Sequence, residues 1–128
     1  MTAVITDLAN VIVTKKLAGE RFVLMLGAGA SLSSGVKQTS VMQEEILARY
    51  GTRFESGKTE DRFDKLWGAA SRDERDLYLK PYLSVEPGQG YRDLANLVKE
   101  GFFDLAISFN YDDLLERALK AVGFDDYR

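Results

Sequence analysis

The chain has no cysteine and no histidine among its 128 residues. Without cysteine there is no disulfide and no thiolate metal site. Without histidine it lacks the commonest general base and the commonest metal ligand. Neither a zinc centre nor a histidine-dependent triad can be built from these residues alone, and no metal is expected. Proline occurs twice and tryptophan once. No apolar run approaches the ~18 residues of a transmembrane helix, so no membrane partner is expected. An excess of positive charge is also missing. Seventeen basic and 20 acidic residues leave a net charge of -3, which removes the broad basic footprint of a nucleic-acid binder. With Asp7 near the start and no cleavable-signal pattern, the N-terminus is read as mature and the protein as cytoplasmic. Internal repeats and low-complexity tracts are absent from the sequence as well.

What is present is 45% hydrophobic residues over a length near that of one domain, enough for a core. The sequence is organised around Arg21 to Gly35. Phe22 to Leu26 is an uninterrupted, β-prone apolar run, suited to the centre of a parallel sheet. Gly27-Ala28-Gly29 follows at once, then Ala30 and Ser31. Two glycines around a small residue let the backbone turn tightly and approach a ligand with no Cβ in the way. A helix starting there would favour an anion over the turn. The spacing fails both stricter phosphate-loop patterns. Leu32 stands where the dinucleotide fingerprint needs its third glycine, and no Gly-Lys-Ser/Thr follows. An ordinary glycine turn closing a strand is therefore an equal reading of the local sequence.

Along the chain, residues 6 to 18 predict a helix capped by Thr6 or Asp7, with an apolar stripe of Leu8, Val11, Ile12 and Leu17, stopped by Gly19. Ser31, Ser33 and Ser34 either cap a turn of helix or donate to a ligand, and capping is the plainer role for at least one. Ser40 with Gln43 has the spacing of a capping box for a helix to about Tyr50. Residues 51 to 60 read as a surface loop or lid. Phe63, Leu66 and Trp67 have helical spacing, with Trp67 read as core packing in preference to a stacking platform. Ser71 with Glu74 is a second capping box, opening a charged helix that runs to Pro81. Pro87 to Gly90 is a turn cluster. Tyr91, Leu94, Leu97 and Val98 then form an amphipathic helix stopped by Gly101. Phe102 to Phe109 is a second strand, ending at Asn110-Tyr111-Asp112-Asp113. A last helix follows with Leu114, Leu115, Ala118, Leu119 and Val122 buried. Acidic residues in a first turn complement the helix dipole, so a structural role alone would account for Asp113. If the two strands are neighbours, Gly27 to Ser31 and Asn110 to Asp112 face one crevice at the carboxyl ends of the sheet, where ligands bind in such folds.

The same two loops carry a resemblance. Gly27-Ala28-Gly29-Ala30-Ser31, continuing to Ser34-Gly35, resembles the Gly-Ala-Gly-x-Ser motif of the SIR2 superfamily. Ser108-Phe109-Asn110-Tyr111-Asp112 resembles its second signature. Asn110 to Glu116, Asn-Tyr-Asp-Asp-Leu-Leu-Glu, is similar to the form found in the bacterial SIR2-like branch. The resemblance spans residues ~20 to 122, least closely in the middle. It implies a Rossmann-like, doubly wound parallel α/β fold, present in part, with several helices between the two main strands. It also implies NAD as substrate and cleavage of its N-glycosidic bond. Gly27, Ala28, Gly29, Ser31 and Ser34 would cradle the dinucleotide. Asn110 would sit by the nicotinamide ribose and orient water, and Asp112 would accept from the carboxamide.

Three departures bear on activity. Lys37-Gln38-Thr39-Ser40 stands where deacetylating sirtuins carry Pro-Asp-Phe-Arg, and their zinc-binding cysteines are absent. Both count against protein deacylation. The family's catalytic histidine follows the second motif by tens of residues, and this chain has none. Residues 1–128 are thus expected to be the N-terminal part of a SIR2-like NAD-binding domain and a poor catalyst alone. The expected whole is an NAD+ hydrolase serving antiviral (anti-phage) defence in bacteria, forming a homo-oligomer with an associated sensor domain or protein, and binding NAD or ADP-ribose. The alternative is a non-catalytic nucleotide-binding or oligomerising module.

Overall fold

A computed structural model describes residues 2–127. In chain order it contains α1 (Thr2–Leu17), β1 (Phe22–Leu26), a 3-10 helix (Ala28–Ser34), α2 (Thr39–Tyr50), α3 (Thr59–Ala69), α4 (Arg72–Leu83), α5 (Gln89–Lys99), β2 (Phe103–Ser108) and α6 (Leu114–Ala121). The architecture is mixed α/β, mostly helical, with a two-stranded parallel sheet. Four α-helices lie between the strands in sequence. The chain divides into two compact units, Ser31–Glu86 and the remainder. Among the described residues no helix is long and apolar enough to cross a membrane.

The first unit holds the sheet with α1, α5 and α6. β1 and β2 pair in parallel, Val23 against Leu105, Leu24 against Ala106, Met25 against Ile107 and Leu26 against Ser108, with a register shift after Phe22. Parallel pairing needs a long crossover, and the chain between Leu26 and Phe103 supplies it. α5 and α6 pack together through buried Tyr91, Ala95, Leu114, Leu115, Ala118 and Leu119. Their strongly one-sided apolar patterns make this the predicted outcome. The helices α1, α5 and α6 stop alike. Gly19, Gly101 and Gly123 each have φ between 72° and 82°, a conformation that glycine enters without a Cβ penalty. Their N–H groups and those of the next residue close back on the last helical turn, as in Phe102 N to Leu97 O at 3.0 Å.

Two expectations fail in this unit. The helix predicted at 6–18 begins at Thr2, so Thr6 and Asp7 lie inside it and cap nothing; Thr6 Oγ1 donates to the Thr2 carbonyl at 3.0 Å instead. Ala3, Val4 and Ile5 extend the helical pattern upstream. The run 22–26 is also not buried on both faces. Val23 and Met25 are exposed, while Leu26 is buried and Phe22 and Leu24 are half-buried.

The second unit is a helical cluster. Met42, Ile46 and Leu47 of α2, Leu66 of α3 and Tyr78 of α4 are buried together with Ala70. Trp67 packs on this cluster and stacks on Phe63 at 5.5 Å between ring centroids, with the Arg75 guanidinium 5.4 Å from its ring. The core-packing role expected of it is therefore observed. Ser71 and Glu74 form a complete capping box: Ser71 Oγ accepts from Glu74 N at 3.3 Å, and Glu74 Oε2 accepts from Ser71 N at 2.7 Å. The box predicted at Ser40 does not form. α2 starts two residues earlier than a Ser40 cap implies, at Thr39, with Gln38 at the cap and no side-chain bond there. Pro81 lies within α4, which runs on to Leu83, and Gln89 and Gly90 belong to α5 and not to a turn. At the end of α2 the Gly51 N–H donates to Leu47 O at 2.8 Å.

Glu45 bridges two neighbours in this unit. Its Oε1 lies 2.5 Å from Lys37 Nζ, and its Oε2 accepts from the Tyr82 hydroxyl at 2.9 Å. The Lys37 hydrogen bond, then that from Tyr82, holds the Glu45 carboxyl below its ordinary value. Burial, then the Glu45 hydrogen bond, pushes the Tyr82 phenol up to about 12.

Two outcomes follow. Leu66 is 1% exposed, so Leu66→Ala should cost about 2–5 kcal/mol in a denaturant titration. The paired shifts set a pH profile. Glu45, whose folded value is depressed, stabilises above the ordinary carboxylate range and loses this as pH falls through its folded value. Tyr82, whose folded value is raised, stabilises fully below about pH 10 and loses this as pH rises toward 12. Tyr82→Phe should remove one phenol that ionises near 12 from an ultraviolet titration, and Glu45→Gln should make the acid limb of the thermal midpoint shallower.

Candidate functional site

The parallel register brings the ends of both strands together. Leu26 pairs with Ser108, and Phe109 N donates to the Leu26 carbonyl at 3.0 Å. The chain leaves β1 as Gly27-Ala28-Gly29 and leaves β2 as Asn110-Tyr111-Asp112 at the same edge of the sheet. The condition for a shared crevice, that the strands be neighbours, is met. Because strands of a parallel sheet point one way, their carboxyl ends coincide.

Neither a left-handed backbone nor a neighbouring atom requires glycine at Gly27 or Gly29. Neither has a positive φ. A Cβ built on either would meet no heavy atom within 4 Å. The space beside this backbone is open, which is what a close-approaching ligand needs. The expected helix start over the loop is a seven-residue 3-10 helix, opened by Ala30 N donating to Gly27 O at 2.9 Å. A 3-10 turn keeps the chain tight over this stretch, where small residues at every step from Gly27 to Ser31 allow it.

On the other strand end, Asn110 is half-buried and its position is fixed twice. Its backbone N–H donates to Ser108 Oγ at 3.2 Å, and its Nδ2 donates to the Tyr91 hydroxyl at 3.4 Å. Asp112 is half-buried; its Oδ1 accepts from Leu114 N at 3.2 Å and so opens α6. Asp113 sits at the cap without a side-chain bond to the backbone and instead holds Arg117 at 2.9 Å, four residues on. The structural role allowed for Asp113 is what is seen, whereas Asp112 combines a helix-opening bond with a place at the sheet edge. Tyr111 is exposed.

Tyr91 is the residue that sequence reasoning missed. It is 3% exposed on α5, and its hydroxyl orients the Asn110 amide. In the sequence it is one apolar position of an amphipathic helix, with nothing to separate it from Leu94 or Val98. Ser31 and Ser34 fall in the second unit. Ser31 is buried at 1% exposure, and its carbonyl accepts from Val36 N at 3.2 Å; Ser34 is half-buried. Among the described residues no three carboxylate, histidine or cysteine side chains cluster as a metal site would require.

Gly27→Ala should leave the thermal midpoint within about 2 °C of wild type, because the added methyl meets open space. Tyr91→Phe should cost about 0.5–1.5 kcal/mol, the worth of one hydrogen bond, in chemical denaturation. The chain matches no family model, no curated protein and no solved structure.

Proposed function

We propose that this chain binds NAD at the shared edge of β1 and β2, as the N-terminal part of a SIR2-like NAD+ glycohydrolase with a Rossmann-like sheet. One observation carries the reading. The two motifs that resemble that family start 81 residues apart in sequence, at Gly27 and Ser108, yet both leave adjacent parallel strands at the same end. The open space beside Gly27 and Gly29 suits the pyrophosphate, which needs close backbone approach. Asn110, held by Tyr91, cannot ionise, and its work is to place the attacking water at the ribose carbon. The glycosidic bond breaks with its electron pair leaving on the nicotinamide nitrogen, through an oxocarbenium-like centre that a nearby carboxylate stabilises, and the water that adds to the ribose carbon loses its proton to solvent. Asp112 supplies that carboxylate and accepts from the carboxamide. In the whole protein the activity serves anti-phage defence by depleting NAD. Ser31 and Ser34 carry no part of this reading.

A second reading is favoured by the absence of histidine: a nucleotide-binding module without turnover. Calorimetric titration with NAD and with ADP-ribose tests the shared part. Binding is expected, and Gly27→Val should weaken it at least tenfold, about 1.4 kcal/mol, with the thermal midpoint held. No heat from either ligand would sink both readings. Nicotinamide release by a version extended beyond residue 128 separates them: the hydrolase releases it and Asn110→Ala abolishes the release, while the binding module releases none. Release undiminished in Asn110→Ala would remove Asn110 from the chemistry.

A further inference from the structure

The second unit holds a cleft of about 550 Å3 between α2 and α4, lined only by residues of Ser31–Glu86. That volume falls within the range of about 300–1,000 Å3 usual for small-molecule sites. Three tyrosines line it, Tyr50 at the end of α2 and Tyr78 and Tyr82 on α4. Helical spacing gathers the lining. Tyr78 and Tyr82 are four residues apart and share one face of α4, as Glu45 and Arg49 share one face of α2. The Tyr50 and Tyr78 rings meet at 4.4 Å between centroids, tilted by 31°.

Two properties of this cleft are not used by the fold. The first is a charge. A glutamate four residues before an arginine normally pairs with it on a helix surface. Here Glu45 is drawn away, one oxygen to Lys37 and the other to the Tyr82 hydroxyl at 2.9 Å. Among the described residues Arg49 makes no ion pair and no hydrogen bond. Lys37 and Glu45 cancel, so Arg49 gives the lining a net positive charge in a chain whose net charge is -3. The second property is a pair of donors. The Tyr82 hydroxyl is taken by Glu45, but those of Tyr50 and Tyr78 bond to no other described residue. Tyr78 is 6% exposed, and a polar group so buried carries a desolvation penalty that a bound acceptor would relieve. Burial, then the nearby Glu74 charge, pushes its phenol up, so it stays a donor at neutral pH.

We propose that this cleft binds a small planar aromatic anion, its ring stacked on the tyrosines and its phosphate or carboxylate held by Arg49. Aromatic rings pack well on phenol faces in offset geometry. The guanidinium pairs with either oxyanion through two parallel hydrogen bonds. Tyr50 and Tyr78 donate to acceptors on the ring or its substituents. The inference stands apart from the NAD reading, since neither Gly27 nor Asn110 lines the cleft.

The probes are adenosine 5′-monophosphate, adenosine and 4-hydroxybenzoate, titrated calorimetrically into the full chain. At least one anion should bind, and the monophosphate, if it is the one, at least tenfold more tightly than adenosine. Arg49 is exposed, so Arg49→Gln should hold the thermal midpoint while removing the advantage of the anion. Tyr50→Phe keeps the ring, deletes one donor and should weaken binding about threefold. Arg49-dependent binding of the monophosphate assigns the cleft to nucleotides, and that of 4-hydroxybenzoate alone assigns it to aromatic carboxylates. No saturation by either anion up to about 5 mM overturns the proposal. So does binding that Arg49→Gln leaves intact; if Gly27→Val then abolishes it, the monophosphate sits at the sheet edge. Binding that vanishes in a version extended beyond residue 128 would mean that the added chain fills the cleft, and that too overturns the proposal.

Discussion

The parallel pairing of β1 with β2 is the constraint on which the first unit depends. Two strands 76 residues apart are laid side by side, Leu26 against Ser108, and everything of interest follows from that register. It fixes which residues leave the sheet at the same end. It also fixes which share a face. A slip by one residue would turn Leu26 outward and Met25 inward, exchanging a buried leucine for an exposed methionine and rotating both loops. The loop glycines and Asn110 therefore owe their proximity to the strand ladder, whose last bond, from Phe109 N to Leu26 O, joins the residues that immediately precede Asn110 and Gly27.

Within this frame the two strand ends are built differently. The β1 end is made by subtraction, with small residues, no left-handed backbone and empty space where side chains would sit. The β2 end is made by addition. Asn110 is held by Tyr91 and by Ser108, and Asp112 is committed in part to opening α6. This edge, with one bare side and one side of oriented polar groups, is where the proposed dinucleotide site lies. The second unit is organised on other terms, around the apolar cluster of α2, α3 and α4 with Glu45 tying Lys37 to Tyr82 at its surface.

The bare apolar surface of the sheet bears on the same constraint. A two-stranded sheet has two edges and two faces to satisfy, and α5 and α6 pack on each other. Exposed Val23, Met25, Leu105 and Ile107 are the remainder. The sequence reads as a strand buried on both faces because the run is apolar at every position; burial on the second face requires a neighbour that composition cannot name.

Periodicity and punctuation in the sequence located both strands, five of the α-helices to within a few residues and the helical spacing of the sixth, the Ser71–Glu74 box and the glycine stops at 19, 101 and 123. These depend on near neighbours in the chain, so they are written locally. Helix starts without a decisive cap were less legible, as Thr2 and Thr39 show, because several adjacent residues serve almost equally well. Gly27-Ala28-Gly29 reads equally as a strand-closing turn and as a cradle in the sequence, and the strand pairing adds only which second loop leaves the sheet beside it. Only the tertiary structure decided that Asn110 and Asp112 stand at the same sheet edge, that Tyr91 orients Asn110, and that Gly27 and Gly29 face open space. Each of these joins residues from distant parts of the chain, or depends on where atoms are not, and no local pattern encodes either.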